Sequence, residues 1–315
     1  MVESYKPRVL AIGGPTASGK TALSVALAQE FNGEIICADS MQIYQGLDVG
    51  TAKVTQEEMQ GVPHHMVGFL SPEKAFSVAD FVAMADEQIR EIWSRKKLPI
   101  LVGGTGLYIE SLLNGVQFSE QKSDPALRQQ LEQRAEQEGA LQMHHELETI
   151  DPEYAASVHP NNVGRVLRAL ELYYTTGVTM TQQRAQSLPS EKPYDSLLFC
   201  LSFADRAVLY ERIDRRVDLM MEQGILQEAE LVYQNQEQYR TAAQAIGYKE
   251  FFPYLSGETA LEPCIEKLKQ ASRNYAKRQL TWFRRMQQAV WLDPSEENMM
   301  EQAKETVRRQ WPIQL

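Results

Sequence analysis

The sequence predicts an α/β fold, a parallel sheet with crossover helices into which an all-helical segment is inserted. Strand and helix signals alternate over the first hundred residues, the pattern of strand–helix–strand units. Residues 120–190 are instead rich in Gln, Glu and Ala and hold no strand signal, after which an apolar strand returns at Tyr194–Phe203.

Taken in order, Arg8–Ile12 reads as a short buried strand, with a helix beginning near Gly19. Glu34–Ala38 is a second strand, ending on Asp39. Beyond Ser77, apolar residues recur at helical spacing (Phe81, Met84, Ala85, Ile89, Ile92, Trp93), and Ser77 with Asp80 resembles a capping box. Pro99 introduces the strand Ile100–Val102, which stops at Gly103, Gly104, Thr105 and Gly106. The composition changes near Ser119, and helix-start signals stand at Ser123-Asp124-Pro125 and at Asp151-Pro152. After the returning strand, Asp205 caps a helix with Leu209, Ile213, Val217 and Met220 on one stripe. Another helix runs from about Leu226, and a long one from about Thr259 to Met286. The expected organisation is a catalytic core of residues 1–118 and 192–315 around a helical insertion of residues 119–191.

The 315 residues carry 32 Lys+Arg and 42 Asp+Glu, a formal charge of −10, in a composition that can bury an ordinary core. Cys37, Cys200 and Cys264 lie far apart, which excludes a disulfide framework or a structural zinc site of the usual spacing. They read as small core residues in a reducing compartment. No apolar run approaches the ~20 residues needed to span a bilayer. The opening segment, from Met1 to Arg8, lacks the apolar core of a signal peptide, so a cytoplasmic protein is expected. The acidic average argues against nucleic acid as partner, but only as an average.

Gly14, Pro15, Thr16, Ala17, Ser18, Gly19, Lys20 and Thr21, preceded by Gly13, fit the phosphate-loop pattern G-x-x-x-x-G-K-[ST] in full, with a strand before and a helix after. Glycines let backbone N–H groups converge on phosphate oxygens, the helix adds its positive end, and Lys20 supplies a point charge. The Thr21 hydroxyl is placed to ligate a Mg²⁺ bridging two phosphates. Asp39, just past a strand, has three readings: a ligand in the outer sphere of Mg²⁺, a general base, or a cap for the turn Ser40-Met41-Gln42. The glycines around Thr105 allow close approach of a ligand or simply make a tight turn.

Six basic residues between Lys269 and Arg285, including Arg273, Lys277 and Arg278, meet no acidic one in sequence, and Lys269, Arg273 and Lys277 share a helix face. This is either a phosphate-backbone contact surface or a solvated face. A second cluster gathers Arg206, Arg212, Arg215 and Arg216, and Arg165 and Arg168 share a face in the insertion. Arginines reaching the phosphate loop, Arg212 or Arg216, would neutralise a departing diphosphate.

On Gly14–Thr21, Ala38–Tyr44, Asp48–Lys53, Pro63–His65, Val102–Tyr108, Asn161–Leu170, Ala245–Glu250 and Ala276–Arg284, the chain resembles the bacterial tRNA dimethylallyltransferases over nearly its whole length. The resemblance implies a P-loop kinase-like core with a helical insertion gripping the tRNA anticodon stem-loop. It implies transfer of the dimethylallyl group from dimethylallyl diphosphate to N6 of the adenosine just 3′ of the anticodon, in tRNAs reading codons that begin with U. By the same resemblance Gly14–Thr21 holds diphosphate, Asp39 is the general base, and Ser40, Met41 and Gln42 lie beside the adenine. Thr105, Arg128 and the segment Asn161, Asn162, Val163, Gly164, Arg165 contact tRNA. Gly164 stands where relatives commonly carry Gln, and Val54 where they often have Pro. A eukaryotic-type zinc-finger extension and a transit peptide are not expected, nor is a membrane, and a monomer is.

The chemistry agrees. Dimethylallyl diphosphate ionises toward an allylic cation as diphosphate leaves, so stabilising the departing charge is the task of Lys20, Mg²⁺, backbone N–H groups and Arg212 or Arg216. The adenine amine is a poor nucleophile and needs a carboxylate such as Asp39 to take its proton. Arg168, Lys277 and Arg278 are expected to hold tRNA phosphates. A small-molecule or nucleotide kinase would use the same loop, hydroxyl and carboxylate, but has less use for the insertion and the basic stripe.

Overall fold

The computed structural model describes residues 6–118 and 124–312. Met1, Ser119 and Ser123, named above as start, boundary and helix signal, lie outside the described residues. Six parallel strands form one sheet: β1 (Arg8–Gly13), β2 (Gly33–Cys37), β3 (His64–His65), β4 (Leu98–Gly103), β5 (Asp195–Leu201) and β6 (Val290–Leu292), in the order β3-β2-β4-β1-β5-β6. All-parallel strands need both faces covered, which is why they read as apolar runs rather than alternating ones.

The helices are α1 (Lys20–Glu30), α2 (Gln56–Met59), α3 (Val78–Ser94), α4 (Gly106–Leu113), α5 (Pro125–Glu138), α6 (Ala140–Ile150), α7 (Pro152–Ala156), α8 (Val163–Thr176), α9 (Met180–Ser187), α10 (Arg206–Glu222), α11 (Ile225–Gln234), α12 (Phe252–Leu255), α13 (Leu261–Phe283) and α14 (Met299–Gln310). On one face of the sheet Val9, Ala11 and Leu101 pack with Phe81, Ala85 and Ile89 of α3, with α4, and with Phe283 of α13. On the other, Leu10, Ile12 and Ile100 pack with Leu23 and Leu27 of α1 and with Ala303 and Val307 of α14. The predicted caps form: Ser77 and Asp80 make a capping box on α3, and the carboxylates of Asp124, Asp151 and Asp205 cap α5, α7 and α10.

The chain divides into two compact units, Asn114–Lys192 and the remainder. The first is helical throughout its described residues and has its own core of Leu131, Met143, Leu147, Val166, Leu167 and Leu170. Among the described residues no helix is long and apolar enough to cross a membrane, and all three cysteines are buried and unbridged.

Candidate active site

In a parallel sheet the loops leaving the carboxyl ends of neighbouring strands converge. Here β1, β2 and β4 lie side by side, so the loops after Gly13, Cys37 and Gly103 meet at one edge. Gly103 has no room for a side chain, because a Cβ there would lie 2.0 Å from the Ala38 carbonyl oxygen. The Thr105 N–H donates to that same carbonyl at 3.2 Å.

The loop 14–21 is wound by left-handed residues, Gly14 at φ 142°, Ala17 at 62° and Gly19 at 91°. An alanine in that region is strained, a feature that gathers at ligand-holding loops. Gly19 starts α1 without a side-chain cap and no acidic residue stands in its first turn, which leaves the helix's first N–H groups for an anion. The Ser18 hydroxyl is fully buried with no partner among the described residues. A loop with unused donors, a cation and two hydroxyls fits a polyphosphate.

Lys20 folds onto the loop, its Nζ donating to the Pro15 carbonyl at 2.6 Å. Burial lowers its pKa to about 8, Arg216 pushes the same way, and Asp39 opposes them. Helix α10 brings both expected arginines to the loop. Arg212 Nε donates to the Ala17 carbonyl at 2.9 Å, and Arg216 Nη1 to the Thr16 hydroxyl at 3.2 Å. Burial also depresses the pKa of Arg216.

Asp39 serves as a turn cap, its Oδ1 accepting from the Met41 N–H at 2.9 Å and the Gln42 N–H at 3.4 Å. This realises one of its three readings and leaves the others standing, since both bonds fall on one oxygen. The Thr105 hydroxyl accepts from the Ser40 N–H at 3.1 Å and so joins the Asp39 turn to the β4 loop. Gln42 donates to the Ala52 carbonyl at 3.2 Å. Among the described residues no group of three His, Cys, Asp or Glu could hold a metal. The Thr21 hydroxyl is the loop oxygen that could hold a Mg²⁺ beside the phosphates.

The basic stripe on α13 divides into two parts. Lys269 Nζ lies 2.7 Å from the Asp218 carboxylate, and Arg273 is bonded to Asp214, both acids on α10. The acids missing from the stripe's own sequence come from the neighbouring helix. Lys277 and Arg278 are exposed and have no ion-pair partner among the described residues, each standing over a tyrosine ring, Tyr210 and Tyr275. In the helical unit, Asn161, Asn162, Gly164, Arg165 and Arg168 are exposed at the start of α8, and Val163 is half-buried. Arg128 bonds Glu132 at 2.7 Å, and Arg168 bonds Glu171 at 3.2 Å.

Two site residues went unread in the sequence. Glu228 of α11 receives the N–H groups of Asp48, Val49 and Gly50 at 2.8 to 3.0 Å and the Tyr248 hydroxyl at 3.0 Å, which fixes the loop whose Ala52 carbonyl meets Gln42. Gln279 of α13, 5% exposed, bonds the phosphate loop and the β4 loop at once. Its signal was a polar residue on the apolar stripe Ala276, Leu280, Phe283.

A family model described as IPP transferase matches residues 42–286, and one described as isopentenyl transferase matches residues 7–68. The chain is 51% identical to the tRNA dimethylallyltransferase of Bacillus cytotoxicus and 49% identical to that of Bacillus subtilis, with 93% of this chain and 92% of each relative aligned. Its fold is similar to the full-length tRNA isopentenylpyrophosphate transferase of Bacillus halodurans, with a TM-score of 0.72, 43% identity and 97% of each chain covered. A eukaryotic dimethylallyltransferase acting on tRNA superposes with a TM-score of 0.78 at 32% identity, covering 96% of this chain and 77% of that one. The chain belongs to the IPP transferase family.

Proposed function

We propose that the chain transfers the dimethylallyl group of dimethylallyl diphosphate to N6 of the tRNA adenosine just 3′ of the anticodon, releasing diphosphate. The bond from the prenyl carbon to the diphosphate oxygen breaks, the bond to N6 forms, and the N6 proton goes to a base. The observation that carries this reading is a phosphate loop after β1 and a carboxylate after β2, at the carboxyl ends of strands that flank β4, in a chain 51% identical to a tRNA dimethylallyltransferase.

The loop N–H groups, Lys20, Arg212 and Arg216 stabilise the charge that develops on the departing diphosphate. The Thr21 hydroxyl would hold a Mg²⁺, which when bound would help to neutralise the charge of the diphosphate. The Asp39 oxygen not engaged with Met41 accepts the N6 proton, and Ser40–Gln42 and Thr105 lie beside the adenine. The base must leave its stack to reach them, at a cost of a few kcal/mol that contacts to tRNA phosphates offset. Lys277 and Arg278 supply such contacts from the core, and Arg128, Arg165, Arg168 and the segment 161–164 from the helical unit, which we assign to the anticodon stem-loop.

Incubation with labelled dimethylallyl diphosphate and unmodified tRNA tests this, with labelled ATP and small acceptors run in parallel. Label is expected in tRNA from the prenyl donor. Label passing from ATP to an acceptor, and none from the prenyl donor to tRNA, would make the chain a kinase.

A further inference from the structure

Gln279 makes two bonds with one amide. Its Oε1 accepts from the Thr16 N–H at 2.9 Å, and its Nε2 donates to the Gly104 carbonyl at 3.0 Å. The side chain is buried, and space for it exists only because residue 104 is glycine: a Cβ there would lie 2.1 Å from Nε2. Among uncharged side chains only a carboxamide offers a carbonyl acceptor and an N–H donor on one rigid plane. It joins the phosphate loop to the β4 loop, and the β4 loop is in turn bonded to the Asp39 turn. Thr16 belongs to the loop 14–21, and its hydroxyl also receives Arg216. Gly104 precedes Thr105, whose hydroxyl orders the Asp39 turn through the Ser40 N–H. The Thr16 N–H is thereby engaged by Gln279.

We infer that Gln279 is a positioning residue that fixes the distance between the diphosphate loop and the carboxylate loop, and so the alignment of leaving group and base. The inference rests on the transfer reaction proposed above. Losing the clamp leaves each half-site able to bind its own ligand and misaligns the two, and a displacement near 1 Å costs about 100-fold in rate. The effect therefore falls on the chemical step rather than on binding.

The test uses the full chain, with single-turnover transfer to tRNA and separately measured affinities for inorganic pyrophosphate and for tRNA. Gln279→Met, of similar volume and without either bond, is expected to slow the chemical step about 10- to 100-fold. Both affinities are expected to stay within about threefold, with the circular dichroism of the wild type. Gln279→Glu supplies a second readout. Protonated, its carboxyl donates to Gly104 and accepts from Thr16; ionised, it sets an oxygen against the Gly104 carbonyl. Its rate relative to wild type should fall as pH rises, a ratio that cancels titrations common to both proteins. A Met variant within twofold of wild type, a loss confined to the affinities, or a pH-independent ratio for the Glu variant each overturns the inference. Should the Met variant not fold, the Glu ratio decides alone. Wild-type chain that leaves tRNA unmodified fails the reaction itself, a result separable from every variant outcome.

Discussion

Two carboxylates bracket strand β2, Glu34 near its start and Asp39 just past its end, and the protein treats them in opposite ways. Glu34 is held by two cations and an imidazole: Arg95 and His65 at 2.7 Å and Lys97 at 2.9 Å. These bonds outweigh the cost of burial and hold its pKa at about 2. Asp39 has two backbone N–H groups on one oxygen, and the fields of Lys20 and Arg216 reach it across the site. A carboxylate with both oxygens bonded by its own protein stabilises a fold. One left incompletely bonded among cations and glycine loops is available to a substrate.

The contrast breaks most severely if Lys20 is dispensable. Lys20→Ala is expected to lower kcat/KM by about 10²–10³, the cost of one donor to developing negative charge. A lysine with its pKa lowered to about 8 is charged below that pH and neutral above it. Pyrophosphate affinity of the wild type should therefore weaken as pH rises through about 8, and calorimetry should find that dependence gone in the variant. Glu34→Gln addresses the other end of the strand. It should cost about 1–2 kcal/mol of stability, discounted because Arg95 and Lys97 are each about one-third exposed, and leave the single-turnover rate unchanged. Because its pKa is depressed, the Glu34 contribution is present above an ordinary carboxylate's 4.5 and fades as pH falls toward about 2. Denaturant titrations of wild type and variant should converge over that window. The smallest effect concerns the end of α13 that lacks acids. Lys277→Ser with Arg278→Ser should reduce the slope of log affinity for tRNA against log salt by roughly 1.5 to 2. The same exchange at Lys269 and Arg273 should change that slope little, since Asp218 and Asp214 already neutralise them.

Helix α13 also shows what a sequence discloses. Strands β1, β2, β4 and β5 were legible because each is a run buried on both faces, and α3, α5, α7 and α10 because their caps are local side chains. Strands β3 and β6, of two and three residues, have no run long enough to read and exist through pairing with β2 and β5. The loop 14–21 was legible because its chemistry is contiguous. That Arg212 and Arg216 reach it from α10 was a chemical expectation that only tertiary packing places. The acids facing Lys269 and Arg273 are some 50 residues away in sequence, so the charge run looked unopposed. Gln279 meets partners 263 and 175 residues distant, and no spacing rule reaches so far.

Transfer requires Asp39 to take a proton rather than merely shape a turn, and Asp39→Asn separates the two. Asparagine keeps a side-chain oxygen for the Met41 N–H but is a far weaker base. Single-turnover transfer of labelled dimethylallyl to tRNA by this variant is expected to fall about 10²–10⁴-fold, with tRNA affinity within about threefold of wild type. A variant that prenylates tRNA at the wild-type rate would reduce Asp39 to the cap of its own turn and contradict the account.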